Sequence, residues 1–311
     1  LILRALALLL ALAGSAHAQG LPWHVRAQDK ATVAGGGCTG GYLGSGDALS
    51  GAAHYWGVRG YSCAYSTGAN NAMIIRRASD NTTSTIKILN TGSLDTASAS
   101  SFCSATACFV TTLYDQVGTA NLTQATNANQ PQLIFSCKGT LPCIQFDGSS
   151  MILTGTITSI SPPISYSTAV NVTGDNAVLG FQIILGTENS GGGAAASLNR
   201  SVANSWNSGT EGNSLSSMSS TDATWHTAQA TFTTTASTSV LNIDGTETTG
   251  STNGSAGGYT ISDLSGRSTA ANYYMKGQAG EYRIDTAAYS SGNRTALCHN
   301  LRLYWSTAGS C

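Results

Sequence analysis

The sequence predicts an all-β, two-sheet antiparallel β-sandwich of jelly-roll type with one short C-terminal helix, and three observations support this. Short β-branched and aromatic runs recur through the chain, two of them ending on Asp-Gly turn dipeptides. A single stretch, residues 291–304, has helical spacing, with Leu297 and Leu301 one turn apart and Ser290 or Ser291 as N-cap. Charged residues make up only 9% of the chain while hydrophobic residues reach 41%, a balance that sets it apart from disordered low-complexity sequence.

In chain order, residues 1–18 read as an export signal. Arg4 supplies the positive start, residues 5–13 are apolar, and Ala16-His17-Ala18 forms a small-residue cleavage site. That apolar run is shorter than the ~20 residues a membrane span needs. Residues 19–311 then read as one domain of a secreted protein, extracellular or periplasmic. Residues 19–50 are Gly-rich and irregular, an arm tied down by Cys38. Residues 109–114 form a buried strand ended by Asp115-Gln116, and Gly118-Thr119-Ala120-Asn121 has turn composition. Strands follow at 133–135 and 144–146, the second ending on Asp147-Gly148. Residues 164–172 alternate apolar and polar, whereas 178–185 run more continuously apolar, as burial on both faces requires. Further strands are expected at 228–232, at 239–243 before Asp244-Gly245, and at 280–285.

Eight cysteines in an exported chain favour disulfides over metal or thiol chemistry. Nearest-neighbour pairing gives Cys38–Cys63, Cys103–Cys108, Cys137–Cys143 and Cys298–Cys311. No pair has C-x2-C spacing, so no metal or cofactor is expected. Without Arg4 the chain has 13 basic (14 − 1) and 15 acidic side chains, a net charge of −2. Such weak charge excludes the electrostatic footprint of a nucleic-acid binder and of an anionic-membrane binder. Low charge with abundant Ser and Thr suits a monomeric sandwich with hydroxyl-rich exposed strand faces.

The stretch from Phe102 carries a recognisable pattern. Phe102-Cys103, Cys108, Tyr114-Asp115-Gln116 and Leu122-Thr123-Gln124 follow His54-Tyr55-Trp56-Gly57-Val58-Arg59, Arg76-Arg77-Ala78-Ser79-Asp80-Asn81 and Leu94-Asp95-Thr96. Over residues 51–150 this resembles the catalytic domain of the α-L-arabinofuranosidase B family. Trp225-His226 followed by Leu241-Asn242-Ile243-Asp244-Gly245 is similar to concanavalin-A-like jelly rolls. The resemblance implies a retaining glycoside hydrolase that removes terminal α-L-arabinofuranosyl groups from plant polysaccharides, with a Glu nucleophile and an Asp acid. Residues 202–209 best match the family's nucleophile strand and place Ala203 where the Glu belongs. No carboxylate directly follows Gly266, where the acid is expected, and Val178-Leu179 stand near the position of the family's vicinal Cys pair.

Glycoside hydrolysis normally needs two carboxyl groups, one to protonate the leaving oxygen and one to act as nucleophile or base. Asp263, three residues before Gly266, is the acid candidate. Glu188, which follows a buried strand and opens a Gly-rich loop, is its partner candidate. Glu281 reads as a paired or solvated strand residue. Asp115 reads as structural, bonding turn N–H groups or pairing with Arg76 or Arg77. Trp206, Tyr273 and Tyr274 are expected to be exposed and to stack on sugar, with Asn204 beside them. The competing expectation is a non-catalytic, lectin-like binding or cell-surface protein on the same sandwich.

Overall fold

The computed structural model describes residues 38–311 apart from 69, 175–180, 190–194, 202–204, 211–212, 215–217, 220–222, 235–237, 251–257, 270–272 and 308. The expected export signal therefore lies outside the described residues, as do Ala203, Asn204 and Val178-Leu179. The strands are β1 (His54–Gly57), β2 (Asn71–Arg77), β3 (Thr83–Lys87), β4 (Cys108–Leu113), β5 (Leu122–Thr123) and β6 (Gln132–Lys138). Next come β7 (Leu141–Asp147), β8 (Leu153–Ile160), β9 (Ile164–Val172), β10 (Phe181–Glu188), β11 (Ala195–Ser201) and β12 (Ser205–Thr210). After the short β13 (Asn213–Ser214) and β14 (Met218–Ser219), the chain adds β15 (Trp225–Phe232), β16 (Ser239–Ile243), β17 (Thr246–Gly250), β18 (Tyr259–Leu264) and β19 (Lys276–Asp285).

These strands build an antiparallel β-sandwich. One layer runs β17-β16-β15-β9-β19. The far edge of β19 is shared: its first half pairs with β7 and its second half with β1, the register shifting between Ala279 and Glu281. The other layer runs β12-β11-β10-β18-β8 and continues through β5 to β4, β2 and β3. The pairings β4–β6 and β6–β7 join the layers at one side. Between them lies the core, where Tyr166 packs on Phe232 with ring centroids 5.2 Å apart and bonds Thr187 of the facing layer. The Asp244-Gly245 turn has φ of 54° and 88°, the left-handed pair that a two-residue hairpin between β16 and β17 requires.

The C-terminal helix Ser291–Trp305 starts where its spacing and cap predict, with the Ser290 hydroxyl accepting from Asn293 N–H. Short helices at Ser45–Ala48, Cys63–Thr67 and Thr96–Phe102 were not expected. Each is at most two turns, too short to display a 3.6-residue period, although Ser62 and Asp95 do cap the second and third. The four disulfides have the nearest-neighbour pairing.

One expectation is corrected. The hydroxyl-rich faces were to be exposed, yet every residue of β9 and β15 is buried. The C-terminal helix covers their polar side: Gln229 donates to Arg294 O and the Thr227 hydroxyl lies 3.4 Å from Cys298 Sγ. Alternation in β9 therefore separates an apolar core face from a polar face beneath a helix. Glu281 of β19 lies there too, accepting from Tyr55 Oη, Arg59 Nε and Trp305 Nε1, each at 2.6 Å. Its expected role as a paired strand residue is what the structure displays.

Candidate active site

Strand pairing brings the two predicted carboxylates together. In the β10–β18 ladder Gly186 stands opposite Asp263, and Glu188 is two residues further along. Side chains two apart share a face, so Glu188 and Asp263 are diagonal neighbours on the side of the sheet away from Thr187 and the core. Gly186 has no side chain to fill the space between them. On the other flank, Thr154 of β8 lies directly opposite Asp263.

Both groups are buried, Asp263 0% and Glu188 2% exposed. Burial first, and then the neighbouring Glu188 carboxyl, push Asp263 up to about 7. The charge on Glu188 thus opposes ionisation of Asp263. The turn after β18 covers them. Arg267 Nε donates to Glu188 Oε2 at 3.0 Å and the Thr269 hydroxyl donates to the same oxygen. Ser268 bonds Asp263 Oδ2 through its N–H at 3.0 Å and its hydroxyl at 3.1 Å. Among the described residues, Glu188 Oε1 and Asp263 Oδ1 have no hydrogen-bond partner.

The same outer face continues across β11 with Ser197 and Asn199, which bond each other at 3.2 Å. A polar sheet face flanking two carboxyls suits a sugar. Thr154, Ser197, Asn199 and the Arg267-Ser268-Thr269 turn went unnoticed in the sequence, where Ser, Thr and Asn are too common to stand out.

The predicted aromatics scatter. Trp206, expected to be exposed, is fully buried: it shares the inward face of β12, with Arg200 over its ring and His226 edge-on at 5.6 Å. It therefore offers no face to a sugar. Tyr273 stacks on Phe181 at 4.3 Å, and its carbonyl accepts from Ile183 N–H. Tyr274 is half-buried, and its phenol is pushed up by burial and by the charges of Asp147 and Asp263. Asp147 in turn lines a surface cleft of about 410 Å³ with Gln145, Thr173, Lys276 and Gln278.

Asp115 does bond turn N–H groups, from Tyr55 and Val117 at 3.1 Å and Ala120 at 3.3 Å. The arginine pairing is corrected: Asp115 meets His54 Nδ1 at 2.7 Å, while Arg76 bonds Gln130 and Asn81, and Arg77 pairs with Asp80. Among the described residues, no cluster of three or more His, Cys, Asp or Glu side chains could hold a metal ion, and no helix is long and apolar enough to cross a membrane.

Residues 44–139 match the family model described as alpha-L-arabinofuranosidase B, catalytic. The chain resembles that catalytic domain. Its fold is similar to a GH54 α-L-arabinofuranosidase soaked with a cyclic sulfate inhibitor, at 15% identity and TM-score 0.65, over 83% of this chain and 65% of that one. It is similar also to an arabinofuranosidase complexed with arabinofuranosyl-α-1,2-xylobiose, at 17% identity and TM-score 0.66, over 86% of this chain and 66% of that one. The chain thus spans just under two thirds of the length of these structures. No curated protein sequence matches it. The stretch matching the arabinofuranosidase B model contains β1 to β6 and Asp115 but ends before Glu188 and Asp263.

Proposed function

We propose that this protein hydrolyses terminal α-L-arabinofuranosyl groups of polysaccharide, with Asp263 as general acid and Glu188 as nucleophile. The observation that supports this reading is the buried Asp263–Glu188 pair on a polar outer face of an arabinofuranosidase-B-like sandwich. In a retaining hydrolase a protonated carboxyl gives its proton to the leaving oxygen while a carboxylate attacks the anomeric carbon; the first then activates water to release the sugar. A carboxyl whose proton leaves near neutrality suits the acid and base roles in turn. Retaining pairs stand roughly 5–5.5 Å apart. Sugar entry requires the Arg267-Ser268-Thr269 turn to yield its bonds to the pair. Tyr274 and the Gln145–Gln278 cleft would receive the polysaccharide beyond the cleaved unit.

Residues 19–311 act in this reading as a single monomeric unit with carbohydrate as partner. Four disulfides suit an oxidising compartment and so an exported protein. The test is cleavage of an aryl α-L-arabinofuranoside by the purified protein. Measurable turnover is expected, with Asp263→Asn and Glu188→Gln each reducing it by on the order of a thousandfold or more. Turnover that survives both substitutions would remove these residues from the mechanism. Binding of arabinose-containing polysaccharide without turnover would instead favour the lectin-like reading, to which the capped carboxyls lend support.

A further inference from the structure

The turn that covers the carboxyl pair treats its two members differently. Glu188 Oε2 faces a cation, Arg267 Nε at 3.0 Å, together with the Thr269 hydroxyl. Among the described residues, the hydrogen bonds from this turn to Asp263 Oδ2 come from neutral donors, the N–H and hydroxyl of Ser268. Among the described residues, the remaining Glu188 Oε1 and Asp263 Oδ1 are buried acceptors with no hydrogen-bond partner. Neighbouring buried carboxyls on one sheet face repel unless one of them keeps a proton.

We propose that Arg267 is a positioning residue that decides where this proton resides: its guanidinium holds the negative charge on Glu188 and leaves the proton on Asp263. The inference rests on reading these two carboxyls as the reacting pair. It explains how two neighbouring carboxyls could take different roles, since a charge-assisted bond to one member makes the pair unequal. Among the described residues, the charged or titratable groups around Asp263 are Glu188 from β10, Arg267 from the turn after β18, and Tyr274 from the segment entering β19. Arg267 is the cation of this set. Removing its charge stabilises the protonated pair, so the proton should leave at higher pH.

Carbon-13 NMR of carboxyl-labelled Asp and Glu, followed across pH, tests this in the intact protein. In the wild type the proton should be seen leaving the Asp263 carbon near neutral pH. In Arg267→Gln the pair should keep its proton to a pH higher by about one unit or more, and Arg267→Lys should restore most of the wild-type midpoint. The high-pH limb of the activity profile should move with it. A merely structural Arg267 would lower stability and turnover while leaving the midpoint in place, and that outcome overturns the inference. So does a wild-type titration in which the proton near neutrality leaves Glu188, a result readable even if Arg267→Gln fails to fold. The carboxyl titration needs no substrate, so a wild-type protein without turnover would defeat the proposed function and still leave Arg267 to be judged.

Discussion

Asp263 and Asp115 depart from the ordinary carboxylate range in opposite directions, although burial acts upward on both. At Asp263 burial is joined by Glu188, and the group rises to about 7. At Asp115 burial is outweighed by the His54 bond and by backbone N–H donors of Gly118, Tyr55 and Val117, which hold the carboxyl low. The consequences for stability have opposite signs. Asp263 keeps a proton in the folded state that the unfolded chain has already released, so its contribution to stability is greatest below about 4 and falls as pH rises through about 7. Asp263→Asn should therefore flatten the melting temperature across that window and raise it above wild type at pH 8, as read by calorimetry. A variant that still loses stability between pH 4 and 7 as the wild type does would show that another group is responsible. Asp115 contributes above its unfolded value and loses that contribution as pH falls. Gly118 is constrained by the same carboxylate, because a Cβ there would lie 2.7 Å from Asp115 Oδ2.

At the scale of elements, the C-terminal helix seals the polar side of β9, β15 and β19. Trp305, its last residue, is stacked on Trp225 at 4.9 Å and donates to Glu281. The contact depends on a glycine: a Cβ on Gly280 would meet the Trp305 ring at 2.0 Å. Gly280→Ala should cost about 1–3 kcal/mol through overpacking and weaken the near-ultraviolet signal of the tryptophan stack. Urea denaturation unchanged from wild type would contradict that account. The helix was legible because 15 residues display several turns of spacing and a serine cap. What it covers was not legible. Serines and threonines on a strand look the same whether they face water or a helix that bonds them.

At the scale of the whole molecule, the most recognisable stretch is not self-sufficient. Within residues 44–139, β1 pairs with β19, β5 with β8, and β6 with β7, so each reaches strands wholly or largely outside that stretch. A fragment of residues 38–140 should lack a cooperative melt and give a disordered circular dichroism spectrum. A cooperative transition in that fragment would show that these long-range pairings are dispensable. The carboxyl pair depends on the full chain in the same way, as Glu188 and Asp263 are 75 residues apart (263 − 188) and meet only through the β10–β18 ladder.

Local chemistry by itself determined the class of fold, the positions of eight of the nineteen described strands, the hairpin at Asp244-Gly245, the capped C-terminal helix and the cysteine pairing. Each of these depends on neighbours within a few residues or on the shortest available loop. Asp263 and Glu188 could be singled out as carboxylates in a charge-poor chain, but their pairing could not be read, because it requires the register of two strands joined by a long excursion. The inward turn of Trp206 was hidden for the same reason. Which face of a strand meets the core is set by its partners across the sheet, and a one-residue change of register reverses it. The Arg267-Ser268-Thr269 cap was decided by tertiary structure alone: nothing in those three residues distinguishes them until the backbone turns at Ser265 and Gly266 and lays them over the carboxyls.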